Sequence, residues 1–372
     1  MLDSGAYSAF RQGKKIDIDE YGQFVLDHGH NFNTCITLDV IGNNDMFDET
    51  GADEKKAQAT YDNWIYLRKK GANVIPVFHL GTSEKWLEKY LKETDHICLG
   101  AIANLSTDQR VLGLDDIWRK HLIDPKTKLP KVKVHGLGLT AIPIMLKYPW
   151  HSVDSMTPLL TAVFGRIYLP HLSQDNNWEG TYFNGMFCAV SDQSKRKKVW
   201  TDFAGLPTLI KERYEAMFDE HGFDLGEIFY VSKNETRRDK NEKKRIEALR
   251  KEGIYPMEDE SEQALLDILL PQPKKSEGET LANSWWRRLD WNIHAWTELI
   301  NRMPAYPRPM AEMEDVKEIY NPDREKTIVY FGVSTVTHLQ RMTMAQPRPD
   351  ILVSYAFMED NFLNAIKTHK DE

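Results

Sequence analysis

The sequence is most informative first for what it has little of. Three cysteines, Cys35, Cys98 and Cys188, stand too far apart for a CxxC pair or any zinc-ligand spacing. Free thiols in a reducing compartment are therefore expected, with no bound metal. No apolar run reaches membrane length and no signal-peptide pattern opens the chain, so a cytoplasmic location without a membrane partner is expected. No GxGxxG follows the first apolar run, which argues against a dinucleotide fold, and no cofactor is expected. Positive charge is not in excess. The net charge of −8 argues against a protein that coats nucleic acid, although it leaves room for a local basic surface.

Two segments supply such a surface. One is the run Lys195, Arg196, Lys197 and Lys198. The other begins at Arg237 and Arg238 and carries eight Lys/Arg against three Asp/Glu as far as Lys251. Either can contact phosphates, and the plain alternative for each is a solvated helix face or loop.

Short apolar runs recur along the first 155 residues: MLDSGAYS, TCITLDVIG, NVIPVFHLG, HICLGAIAN, VKVHGLGL and WHSVDSMTP. Amphipathic stretches such as Glu54–Lys70, Glu84–Glu93 and Thr140–Leu146 lie between them. Strand followed by helix, repeated, predicts parallel strands joined by crossovers. Asp3, Asp39, His79, Asn104, His135 and Asp154 all fall within or at the C-terminal end of one of these runs. In a barrel those ends converge on one mouth, whereas in an open sheet they are strung along an edge. The pattern favours an α/β chain built as a TIM-like (β/α)8 barrel. Residues 1–172 form its core with strands one to seven, the seventh being RIYLPHL. Residues 173–323 read as a largely helical, charged insertion, with helices expected at Leu206–Phe218, Thr236–Lys251 and Leu281–Met303. Residues 324–372 close the barrel through one of two further runs, TIVYFGVST or DILVSYAFM. Within the insertion, Trp285–Arg288 (WWRR) can stack on nucleic acid or bury an aromatic helix face.

A carboxylate at a strand end, such as Asp3 or Asp154, serves chemistry or caps a helix. The surrounding motifs bear on that choice. The stretch VHGLGLTAIPIMLKYPWHSVDSM resembles the tRNA-guanine transglycosylase family, in which a strand-terminal aspartate is the nucleophile. DSGAY is similar to the family's DSGGF, ITLDVIG to its base-recognising strand, and CLGAIA to its Gly-Gly-Leu segment. VFHLG occupies the place of its Val-Gln-Gly. These five short motifs keep the family's order over roughly residues 1–170. A closer likeness is to phage members of the superfamily that place 7-deazaguanines in DNA, for which the compartment is the host cytoplasm.

The resemblance implies base exchange in a polynucleotide, with guanine replaced by a 7-deazaguanine such as 7-cyano-7-deazaguanine. Asp154 would attack C1′ and Asp3 would shuttle the proton. Asp39, His79, Gly100, Ala101, His135, Tyr7 and Ser4 would hold the base. DNA is favoured over tRNA because the family's CxCxxC…H zinc module, which helps hold tRNA, is absent. A partner protein is compatible with this. Because a further strand precedes DSG in the family, and DILVSYAFMEDN resembles it, the barrel is expected to be circularly permuted. The alternatives are a tRNA substrate, an N-glycosidase that uses water in the same pocket, and a non-catalytic barrel that binds nucleic acid.

Overall fold

The computed structural model describes residues 1–41, 52–100, 107–172, 182–191, 202–228, 278–312, 328–333, 338–339, 342, 350–355, 358 and 360–369. The chain divides into two compact units. The first comprises Met1–Leu159, Asp175–Asn184 and Ile293–Glu372; the second comprises Leu160–Gln174 and Gly185–Asn292. Among the described residues, no helix is long and apolar enough to cross a membrane.

The first unit opens with β1 (Leu2–Asp3), α1 (Ala6–Arg11) and α2 (Ile18–His28). Asp17 starts α2 by accepting hydrogen bonds from Asp19 N and Glu20 N at 2.8 and 3.1 Å, which satisfies two otherwise unpaired helix donors. Then come α3 (Ala52–Lys69), β2 (Val77–His79), α4 (Glu84–Leu91), β3 (His96–Gly100), α5 (Thr107–Ile117), β4 (Lys133–Gly136), α6 (Ile142–Lys147) and β5 (Ser152–Ser155), and α7 (Thr157–Val163) begins in this unit and ends in the second. The apolar spacing of α4 puts Trp86, Leu87 and Tyr90 on its buried face.

In the second unit, β6 (Arg166–Leu169) and β7 (Met186–Ala189) pair as an antiparallel ribbon, followed by α8 (Thr208–Glu220). The helix α9 (Trp285–Asn301) contributes its first turns to this unit. The chain ends with β8 (Ile328–Val333), β9 (Asp350–Ser354) and α10 (Asp360–His369) in the first unit.

Seven strands of the first unit form one curled parallel sheet, a half-barrel, in the order β1-β9-β8-β5-β4-β3-β2. The extended segment around Cys35–Thr37 bonds to edge strand β1 and to Ile75, two residues before edge strand β2. Leu2 N donates to Thr34 O at 2.8 Å and Ile36 N to Leu2 O at 2.9 Å. On the other side Ile75 N donates to Cys35 O at 2.9 Å and Thr37 N to Ile75 O at 3.0 Å. The segment is also held from outside: Tyr21 Oη donates to Ile36 O, and Asn63 Nδ2 donates to Leu38 O at 2.9 Å. Met1, Ile36, Ile75, Val77, Cys98, Tyr330 and Leu352 pack together as one apolar cluster. Strand alternation then puts Asp3, His79, Gly100 and Ser354 two residues further along, on the same faces as Met1, Val77, Cys98 and Leu352. A polar rim thus stands above an apolar floor.

Two sequence expectations change here. The run RIYL forms a strand, but it is β6 of the antiparallel ribbon and not a seventh strand of the parallel sheet. A four-residue apolar run reads alike in either setting, and its partner Met186–Ala189 lies in the stretch expected to be helical. Within residues 1–172 the last strand of the parallel sheet is therefore β5. TIVYFGVST and DILVSYAFM were competitors for one slot, and both enter the sheet, as β8 and β9. β9 pairs in parallel with β1 through Leu2↔Val353 and Asp3↔Ser354.

The Trp-Trp-Arg-Arg stretch opens α9. Within the second unit the Arg288 guanidinium is buried and donates to Ala162 O, Leu281 O and Ala282 O at 2.8, 2.8 and 3.1 Å. Its donors are turned inward onto main-chain carbonyls, so it is not offered to phosphates. One turn later Trp291 Nε1 donates to Tyr168 O at 2.7 Å, and Asn292 Oδ1 accepts from Tyr168 N at 2.7 Å. This end of α9 is a scaffold for β6. The basic residues Lys195, Arg196, Lys197, Lys198, Arg237 and Arg238 lie outside the described residues, as do Ala101 and Asn104.

Candidate active site

The carboxylates come together at the C-terminal ends of the parallel strands. Asp3 ends β1, and the chain must turn at once to start α1. Gly5 makes the turn with φ of 78°, the left-handed region that a side chain would strain. That turn aims Gly5 N at Asp3 Oδ2, 3.2 Å away. Even so, burial pushes the Asp3 carboxyl up to about 7, and the nearby charges of Asp39 and Asp154 add to the rise. The backbone hydrogen bonds from Gly5 and Ser4 oppose it. An acid so poised exchanges its proton readily near neutrality.

Asp39 lies just beyond the Cys35–Thr37 segment. His79 Nε2 is 2.8 Å from Asp39 Oδ2, and Ser4 Oγ donates to Asp39 Oδ1 at 3.5 Å. The His79 ring reaches Asp39 because the neighbouring strand carries no side chain at its register partner, Gly100. A Cβ built at Gly100 falls 2.8 Å from His79 Cδ2 and 3.2 Å from Val77 Cγ1. The Gly100→Ala protein should therefore lose about 1–3 kcal/mol of unfolding free energy, the usual cost of overpacking. In a His79→Ala background the same change should cost less, by about 1 kcal/mol, because the nearer clash is gone and only the contact with Val77 remains. Urea denaturation of the four proteins measures the difference, and equal costs in both backgrounds would refute the steric account.

On the opposite side, β4 and β5 bring His135 and Asp154 together. His135 Nε2 is 3.2 Å from Asp154 Oδ1, and Gly138 N donates to the same oxygen at 2.8 Å. Among the described residues, Asp154 Oδ2 takes no hydrogen bond. The second ring nitrogen of His135, Nδ1, is 2.8 Å from Ser152 Oγ. Tyr330, the register partner of Asp154 on β8, sets its ring edge-on to His135 at 6.1 Å. Beyond β5, Thr140, Ser155 and Thr157 share hydroxyl hydrogen bonds of 2.8–3.1 Å.

The structure thus joins Asp3, Ser4, Asp39, His79 and Gly100 on one flank and His135 with Asp154 on the other. Asp3 lies within electrostatic reach of both flanks. Tyr7 sits on α1 and is 51% exposed. Sequence reasoning missed Ser152, the Gly138 N–H and Tyr330. Ser152 was accessible to it, since in WHSVDS it stands two residues before Asp154 and shares its strand face. Among the described residues, no group of three His, Cys, Asp or Glu is arranged to hold a metal ion.

This arrangement offers three kinds of group: a carboxylate with one oxygen tied and one open, an acid titrating near neutrality, and a hydrogen-bonding carboxylate–imidazole pair. No family model, curated protein or solved structure matches the chain.

Proposed function

We propose that the protein is a base-exchanging transglycosylase that replaces guanine in a polynucleotide, DNA rather than tRNA, with a 7-deazaguanine. The observation that carries this reading is the meeting of Asp3, Asp39 and Asp154, in three different environments, at one end of the parallel strands. Asp154 Oδ2 attacks C1′ of the target nucleotide while the bond to guanine N9 breaks. Protonated Asp3 gives its proton to the departing base. The sugar is then held as an ester of Asp154, and the Asp3 carboxylate takes a proton from the incoming base as that base displaces Asp154. Splitting one displacement into two keeps the polynucleotide intact. Asp39 accepts from the N1–H and exocyclic amine of a guanine-like ring, since each of its oxygens has a lone pair beyond those met by His79 and Ser4. A base without those donors would leave Asp39 unpaired and be rejected. A target inside a duplex has to be flipped out to reach the pocket.

The same reading treats the sheet as a closed, circularly permuted (β/α)8 barrel. The hydrogen bonds of Cys35–Thr37 to β1 on one side and to Ile75, just before β2, on the other support an eighth stave position. The pairing of β9 with β1 supports placing the C-terminal strand where the family's first strand stands.

Incubation with labelled guanine or labelled 7-cyano-7-deazaguanine, with duplex DNA and tRNA in parallel, tests the reading. Label in DNA is the expected result. Label in tRNA alone moves the substrate to RNA. Abasic sites without label make the protein an N-glycosidase, and neither product with either nucleic acid overturns the proposal.

A further inference from the structure

We propose that Ser152 is a positioning residue. Its hydroxyl holds His135 in the Nε2–H tautomer, so that His135 and the Gly138 N–H tie Asp154 Oδ1 and leave Oδ2 turned toward the reacting sugar. The inference rests on the reading of Asp154 as nucleophile for its consequence, but not for its geometry.

The residues are placed by strand register. Ser152 and Asp154 stand two apart on β5 and share a face, while His135 on β4 is the register partner of Ser152. His135 and Ser152 are essentially without contact with bulk solvent. A ring nitrogen 3.2 Å from an oxygen of the ionised carboxylate that the nucleophile reading requires carries a proton, because two lone pairs would otherwise face each other. In the neutral ring that leaves Nδ1 bare, and it needs a donor. Ser152 Oγ, 2.8 Å away, is that donor. The opposite tautomer fails at Asp154. An imidazole held from behind in this way orients the carboxylate without taking part in the chemistry.

Two measurements decide the matter. Long-range 15N–1H spectra of the histidine-labelled protein at pH 7.5, with His135 assigned by its loss in His135→Gln, should show a neutral Nε2–H ring. A neutral Nδ1–H ring or an imidazolium there overturns the proposal. In Ser152→Ala the ring should keep its Nε2–H, but the Nδ1 signal should move to that of a nitrogen without a hydrogen bond, whereas Ser152→Thr, which keeps a hydroxyl, should retain the signal of the unaltered protein. Base exchange by Ser152→Ala should then show kcat lowered about 10–100-fold with KM for the base nearly unchanged, as for loss of a supporting partner. Ser152→Thr should restore most of it. Unchanged kcat in Ser152→Ala, or equal damage from Thr and Ala, overturns the positioning role. If the unaltered protein exchanges no base at all, the functional reading fails while the imidazole spectrum still decides this one.

Discussion

The Asp154→Asn protein should fold, bind polynucleotide and exchange no base. The expected loss is on the order of 10⁴-fold or more, the scale seen when a nucleophile is removed. The geometry explains why the fold should survive. Both hydrogen bonds to Asp154 arrive at one oxygen, from Gly138 N and His135. An asparagine can offer its carbonyl oxygen to those two donors. Its amide nitrogen then replaces Oδ2, the oxygen that would attack, and an amide nitrogen is no nucleophile. The measurement has two arms. With the unaltered protein and DNA carrying the target guanine, a denaturing gel should show a covalent protein–polynucleotide band, and the band should be absent for Asp154→Asn. Fluorescence anisotropy should show binding by both within a few-fold. Exchange persisting in the variant would remove Asp154 from the nucleophile's role. Loss of binding along with exchange would make the residue structural.

How far this site was legible in the sequence depends on the range of the interactions involved. Asp3, Asp39, His79, His135 and Asp154 could be picked out because each ends or follows an apolar run, and strand ends in parallel α/β folds point the same way. Their spatial meeting needed the register, which short runs do not encode. The same limit explains RIYL, whose four residues satisfy a parallel strand as well as they do the antiparallel ribbon with Met186–Ala189. It also explains Arg288. Next to two tryptophans it reads as a phosphate ligand, yet its guanidinium donates to main-chain carbonyls, one of them 126 positions away in sequence. Gly100 is the reverse case. Its identity in CLGAIA is visible, but the reason for it, the His79 ring lying across the neighbouring strand, is visible only in three dimensions.

Asp3→Asn should separate stability from activity in a way that few substitutions do. Burial, with Asp39 and Asp154 adding to it, raises the Asp3 carboxyl from 3.8 to about 7 in the folded protein. Between those two values the folded state keeps a proton that the unfolded chain releases. The folded state therefore binds more protons across that window, and stability falls as pH rises through it. Below the lower value the group is neutral in both states and costs nothing. Above the upper value the full penalty is present, on the order of 2–4 kcal/mol. Asparagine mimics the neutral acid at every pH. The variant should thus match the unaltered protein in urea denaturation near pH 3.5, gain on it steadily to about pH 7, and keep a constant advantage above. Its base exchange should fall about 10²–10⁴-fold, because the leaving guanine no longer finds a proton. A carboxylate that serves only to hold β1 and α1 together would behave oppositely, with its removal costing stability at neutral pH. A variant that is more stable at pH 8 yet inactive marks a charge kept in an unfavourable place for its chemistry. A variant no more stable at pH 8 than at pH 4, relative to the unaltered protein, would show that Asp3 titrates as an ordinary carboxylate and cannot be the proton shuttle.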